Sequence, residues 1–212
     1  MIAGRFIALE GGEGAGKSTQ ARLLADALRE RGLDVVTTRE PGGTPGAEAL
    51  RRLLLGLEGE GWNARAEALL FAAARSDHVD RLIRPALAAG KWVVCDRFVD
   101  SSRAYQGGAG EIGDADVLAL HRIGSGGLLP DLTLLFEVSP AVAAERLAHR
   151  DQGASDRIES RGAAYHAQVA AAFARIAEAE PARFTRIGSD GSREATHALV
   201  LRALAPLLGE AP

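Results

Sequence analysis

A chain of 212 residues, 47% hydrophobic and 25% charged, has an ordinary globular composition and the length for one domain with a sizeable core. Its net charge of −3 excludes a broad nucleic-acid footprint, which shows as a basic excess, so no nucleic-acid partner is expected. No stretch approaches the roughly 20 apolar residues of a membrane span, and Glu10 interrupts the apolar run that could begin a secretory signal; a cytoplasmic protein without a membrane partner is expected.

In chain order, Phe6 to Leu9 is a short apolar run that reads as a buried strand. It leads into Gly11-Gly12-Glu13-Gly14-Ala15-Gly16-Lys17-Ser18, which fits the G-x-x-x-x-G-K-[ST] phosphate loop. Glycines let such a loop wrap its N–H groups around a polyphosphate, the lysine reaches the outer phosphates, and the serine hydroxyl suits Mg²⁺. Lys17 and Lys91 are the chain's only lysines; positive charge is otherwise written as arginine, so a lysine at this position is not drift. Thr19 to Leu28 has apolar residues at helical spacing and ends near Gly32. Strand, loop and helix together aim a helix N-terminus at phosphate.

Leu33 to Thr38 reads as a second strand, followed by Arg39-Glu40-Pro41-Gly42-Gly43-Thr44-Pro45, a rigid turn expected to present Arg39 and Glu40. Ala47 to Leu55 and Ala64 to Leu87 read as helices. On the second, Phe71 and Arg75 share one face, a pair suited to a nucleobase, although that spacing more often means a core ring beside a solvated cation. His78 on the same helix reads as a structural hydrogen-bonding group. Lys91 to Cys95 is a third strand, and the lone Cys95 inside it reads as a buried thiol. Asp96-Arg97 follows at once: a carboxylate that can hold Mg²⁺ or its waters, and a guanidinium suited to a second phosphate. The hydroxyls, ring and amide of Phe98 to Gly107 come next.

Leu132 to Val138 is a fourth strand and Arg183 to Ile187 a weaker fifth; Pro140 to Arg150, Ile158 to Ala179 and Glu194 to Leu208 are helices. The polar stretch Asp151 to Asp156, flanked by Arg146, Arg150 and Arg157, suits a mobile lid over about 147–158. The alternation predicts a single α/β domain over 1–212: a parallel five-stranded sheet of P-loop NTPase type, with helices on both faces and ligands at the carboxyl ends of the strands. The five histidines lack metal-ligand spacing.

Leu9 to Thr19, Thr38 to Pro45, Phe71 to Arg75 with His78, Asp96 to Gly107 and Asp156-Arg157-Ile158-Glu159 together resemble the bacterial thymidylate kinases over residues 5 to about 160. The resemblance implies Mg²⁺-dependent transfer of the ATP γ-phosphoryl group to dTMP, giving dTDP and ADP on the way to dTTP, by a homodimer. It implies that Gly11 to Thr19 bind ATP, with Lys17 on its phosphates and Ser18 at the metal. Arg97 matches the clamp on the dTMP phosphate, with Arg39 and Arg51 around it. Phe71 matches the residue stacked on thymine, Arg75, Ser102 and Gln106 the base-reading positions, Tyr105 the sugar contact and Glu13 the acid near the 3′-hydroxyl. Some members carry an arginine in the loop where this chain has Ala15; members with a small residue there supply that charge from the lid, which implies Arg150 and Arg157. Many relatives carry an acid where this chain has Gly188-Ser189-Asp190-Gly191. Two rivals share the phosphate loop: a deoxynucleoside kinase, which would phosphorylate thymidine, and a P-loop ATPase switch, in which the cluster after Arg97 would have no task.

Overall fold

A computed structural model describes residues 4–56, 61–150 and 161–209, with the backbone alone at Arg150. Five parallel strands, β1 (Phe6–Gly11), β2 (Val35–Arg39), β3 (Trp92–Asp96), β4 (Leu132–Glu137) and β5 (Phe184–Gly188), pair in the order β2-β3-β1-β4-β5. Strand alternation sends successive side chains of β1 to opposite faces. Ile7 and Leu9 pack with Trp92, Val94, Leu24, Leu28, Val200 and Leu204, against helices α1 (Lys17–Glu30) and α9 (Arg193–Leu208). Phe6 and Ala8 pack with Val93, Cys95, Val79, Ile83 and Phe98 on the other face. Strands buried on both faces must be apolar throughout, which is why Phe6 to Leu9 and Trp92 to Cys95 are near-continuous apolar runs.

Between these lie α2 (Pro45–Leu55), capped by Thr44, and α3 (Ala64–His78), capped by Asn63. The single helix expected over Ala64 to Leu87 is one rod in three parts. α3 passes into a π-helical turn, Val79–Ile83, and then α4 (Arg84–Ala88). Pro85 is the reason: it lacks an N–H and crowds the preceding turn, and a wider turn relieves both.

The segment after Arg97 folds as α5 (Val99–Ser102) running into a π-helical stretch, Arg103–Ala109. α6 (Asp114–Ser125) follows, in a segment to which the sequence pattern assigns no element; the glycines Gly107 to Gly113 and Gly124 to Gly127 mask its period. α7 (Pro140–Arg150) matches expectation. α8 (Ala163–Ala179) begins at the cap Gly162, so the helix expected from Ile158 is shorter; Ile158 itself, like the expected lid core Asp151 to Asp156, lies outside the described residues. Among the described residues no helix is long and apolar enough to cross a membrane.

Register brings the carboxyl ends together. Leu9 of β1 and Arg39 of β2 both pair with Asp96 of β3. Loops from three adjacent strands therefore open into one cleft of 520 Å³.

Candidate active site

The floor of the cleft is the phosphate loop. Gly14 and Gly16 take left-handed φ values of 71° and 83°, which only glycine adopts at little cost, and α1 starts immediately afterwards. The N–H groups of its first turn have no partner within the helix and point into the cleft with the positive end of the dipole. Lys17 Nζ donates to the Gly12 carbonyl at 2.6 Å, so the lysine folds back over the loop. Burial, and then the Arg97 guanidinium, lower its pKa. Ser18 Oγ donates to Asp96 Oδ2 at 2.5 Å, which places a hydroxyl and a carboxylate at one point on the rim.

Arg97 is the hub between the loop and the rest of the cleft. Its Nη1 donates to the Gly11 carbonyl at 3.0 Å and to Ser101 Oγ at 3.1 Å, and its Nη2 pairs with Glu13. The guanidinium lies 5.2 Å from the Tyr105 ring centroid, and Tyr105 Oη donates to Glu13 at 3.1 Å. Arg97 has φ +68°, a region that costs a non-glycine residue about 1–2 kcal/mol. Glu10, fully buried, offsets this cost. Its carboxylate accepts from Phe98 N–H at 2.8 Å, Ser101 N–H at 3.1 Å and Ser101 Oγ at 2.6 Å, which fixes the turn directly after Arg97. Burial and the nearby Asp100 carboxylate push Glu10 up to about 7. No motif names Glu10 as a support; its only signal is an acid at the end of an apolar strand.

The wall of the cleft comes from α3. Arg75 is only 3% exposed: Nε donates to Glu40 Oε2 at 2.7 Å and Nη2 to Ser102 Oγ at 2.8 Å. Phe71 is half-buried and lines the cleft, the reverse of the usual core ring and solvated cation. The expectation that the Arg39 to Pro45 turn presents Glu40 is corrected. Glu40 points inward, where Arg75 and His78 Nδ1 (3.0 Å) need an acceptor, while Arg39 stays exposed and pairs with Glu48 at 3.1 Å. His78 Nε2 meets Thr38 Oγ1 at 2.7 Å, so the histidine is a buried structural group. Arg51 donates to the Pro41 carbonyl at 2.8 Å.

The structure thus gathers Glu13 to Thr19, Arg39, Arg51, Phe71, Arg75, Asp96, Arg97, Ser102, Tyr105 and Gln106 around the cleft. Gly11 and Gly12 lie behind it and lend carbonyls to Arg97 and Lys17. Arg157 and the side chain of Arg150 lie outside the described residues. Arg146, which flanks the expected lid, also lines the cleft. Its Nη2 donates to the Ser189 carbonyl at 2.7 Å and the Gly191 carbonyl at 3.2 Å, and its Nη1 reaches the Gly14 carbonyl at 3.4 Å. It joins the phosphate loop to the loop after β5.

A family model described as thymidylate kinase matches residues 9–200. A thymidylate kinase of Rhizorhabdus wittichii is 62% identical over 205 residues, 97% of this chain and 99% of its own length. One from Caulobacter vibrioides is 46% identical over 99% of this chain and 100% of its own length. The crystal structure of the thymidylate kinase from Ehrlichia chaffeensis superposes with a TM-score of 0.75 at 31% identity, covering 95% of this chain and 99% of the other.

Proposed function

The chain belongs to the thymidylate kinase family and phosphorylates dTMP to dTDP with ATP, and we propose that the two ends of its cleft divide the work. The phosphate loop holds ATP: the α1 N-terminus and Lys17 neutralise its outer phosphates. Arg97 holds the acceptor phosphate in line with the γ-phosphoryl group, with Arg39 and Arg51 beside it. Transfer between two anions needs positioning and positive charge more than covalent chemistry. Phe71 stacks on the base, Arg75, Ser102 and Gln106 read its edge, and Tyr105 with Glu13 closes on the sugar.

Ser18 and Asp96 are the residues that would hold Mg²⁺. Two hard oxygen donors side by side suit an ion that keeps waters and shares substrate phosphates instead of filling a protein cage, and among the described residues no cluster of three or more acidic, histidine or cysteine side chains forms such a cage. Bound there, Mg²⁺ neutralises charge on the transferring phosphates. Ala15 leaves the loop without an arginine, so Arg150 and Arg157 are the proposed cations over the moving group, from a lid within a single catalytic domain.

A homodimer in the cytoplasm completes the reading. Leu53 on α2, Leu69 on α3 and Ile123 on α6 are 51%, 56% and 80% exposed, on helices that pack side by side; apolar surface of this kind suits a second copy. Light scattering at micromolar protein should give twice the chain mass, and a monomer at all concentrations refutes it.

The observation that carries the mechanism is the continuity of Lys17, Arg97 and Arg75 along one cleft. Incubation with ATP labelled at the γ position, dTMP and Mg²⁺ tests it: the label should appear in dTDP. Label released as inorganic phosphate would mean an ATPase switch, and label on added thymidine a nucleoside kinase; neither rival is favoured by the relatives found.

A further inference from the structure

Behind the base-reading end of the cleft stands a charge pair that phosphoryl transfer does not use. Glu67 on α3 is buried and divides its carboxylate: Oε1 accepts from Gln106 Nε2 at 3.0 Å, and Oε2 from Arg161 Nη2 at 2.5 Å. Arg161 precedes the cap of α8. Its Nη1 donates to Tyr165 Oη at 2.5 Å, and that hydroxyl donates to the Tyr105 carbonyl at 3.1 Å. α3, α8 and the π-helical stretch are thus tied together around Gln106.

We propose that Glu67, itself held by Arg161, is a positioning residue that fixes which end of the Gln106 amide faces the acceptor base and so favours thymine over cytosine. The inference rests on the reading of Gln106 as a base-facing residue. A carboxylate paired with a guanidinium only accepts hydrogen bonds. The Gln106 NH₂ must therefore face Glu67, and its carbonyl is left for the cleft. There it accepts from the N3–H of thymine, whereas cytosine offers a bare N3, acceptor against acceptor. Unpaired polar groups in a closed site discriminate more strongly than apolar fit does.

Glu67→Gln tests this, because a carboxamide has one acceptor where a carboxylate has two. Arg161 can only donate, so it claims the single oxygen. The new amide nitrogen then faces Gln106, which turns its own oxygen towards it and its NH₂ towards the base. KM for dTMP should rise about tenfold, and the ratio of the dCMP Ki to the dTMP KM should fall by roughly 10- to 100-fold, with kcat and the ATP KM within about twofold. Adding Arg161→Met frees the oxygen of the introduced carboxamide for Gln106, and most of the ratio should return. A second deletion that restores selectivity is not expected of a merely structural pair. An unchanged ratio in Glu67→Gln, or a double variant no better than the single one, overturns the proposal.

Gln106→Leu separates this inference from the reading beneath it. If Gln106→Leu weakens dTMP while Glu67→Gln does not change the ratio, the base site stands and the positioning role fails. If Gln106→Leu changes nothing, both fail. Should Glu67→Gln not fold, Glu67→Met/Arg161→Met removes both charges together, a change buried pairs often tolerate. It leaves the amide unfixed and should lower the ratio about fivefold; an unchanged ratio there overturns the proposal equally.

Discussion

The two ends of the cleft are built by different means. The phosphate end is mostly backbone: one continuous run from Gly11 to Thr19, with glycines at left-handed φ and a helix N-terminus. The end proposed to hold the base is mostly side chains from remote elements, joined by Glu40–Arg75 and Glu67–Arg161, pairs 35 and 94 residues apart in sequence. A backbone site suits a ligand common to many proteins, a polyphosphate, because N–H groups are available in any sequence. Reading one base needs donors and acceptors in a set pattern, and those must be held by partners of their own. The loss of a phosphate-end side chain should therefore reduce rate, while the loss of a base-end partner should reduce stability or selectivity.

The largest effect that would sharpen this contrast is Lys17→Ala. Its Nζ donates to a loop carbonyl, so the variant should keep its melting temperature while kcat falls roughly 10²- to 10³-fold. A lost fold, or an unchanged kcat, would break the contrast at once. Glu40→Ala should do the opposite. It leaves Arg75 buried without its carboxylate, which costs about 3–5 kcal/mol, or roughly 10 °C in Tm for a chain of this size; urea unfolding measures it directly. A Tm within about 2 °C of the parent would mean that Arg75 does not depend on Glu40.

Glu10 sits at the junction, and its effect should appear with pH. Its folded pKa of about 7 lies above the ordinary 4.5, so between those values the folded chain holds a proton that the unfolded chain releases. Glu10's contribution to stability should therefore fall as pH rises from about 4.5 to 7 and stay level above. Glu10→Gln mimics the protonated form and should lack that decline, and at pH ~8 it should exceed the parent by up to about 3 kcal/mol. Parallel stability curves for the two proteins across this window would refute the assignment. The smallest effect is expected of Ser101→Ala. Ser101 links Glu10 to Arg97 through bonds of 2.6 and 3.1 Å, and its loss should raise the dTMP KM about fivefold while the ATP KM stays put.

The same contrast explains what the sequence made legible. Buried parallel strands announce themselves as apolar runs, and the phosphate loop is a local glycine pattern, so the sheet and Gly11 to Ser18 could be read from neighbouring residues alone. α6 could not, because glycines at both ends blur its period. The inward turn of Glu40 was hidden because the acceptor demand of Arg75 and His78 arises only once His78 meets Thr38 of β2 and Arg75 meets Ser102 of α5. Glu67 and Arg161 are ordinary charges in the sequence; the approach of the segment before α8 to buried Glu67 on α3 makes them partners. The resemblance proposes Arg75 and Gln106 as base-reading residues, and both line the cleft, but what holds them required the fold.

We propose that one cleft both transfers phosphate and selects the base. The most direct test is coupled ADP release with ATP and Mg²⁺, offering dTMP, dUMP, dCMP, dGMP, dAMP and thymidine separately. Strong release with dTMP, weaker release with dUMP and none with the others is the predicted result. Equal release with every nucleotide, or release without any acceptor, would contradict it and detach the base end of the cleft from the reaction.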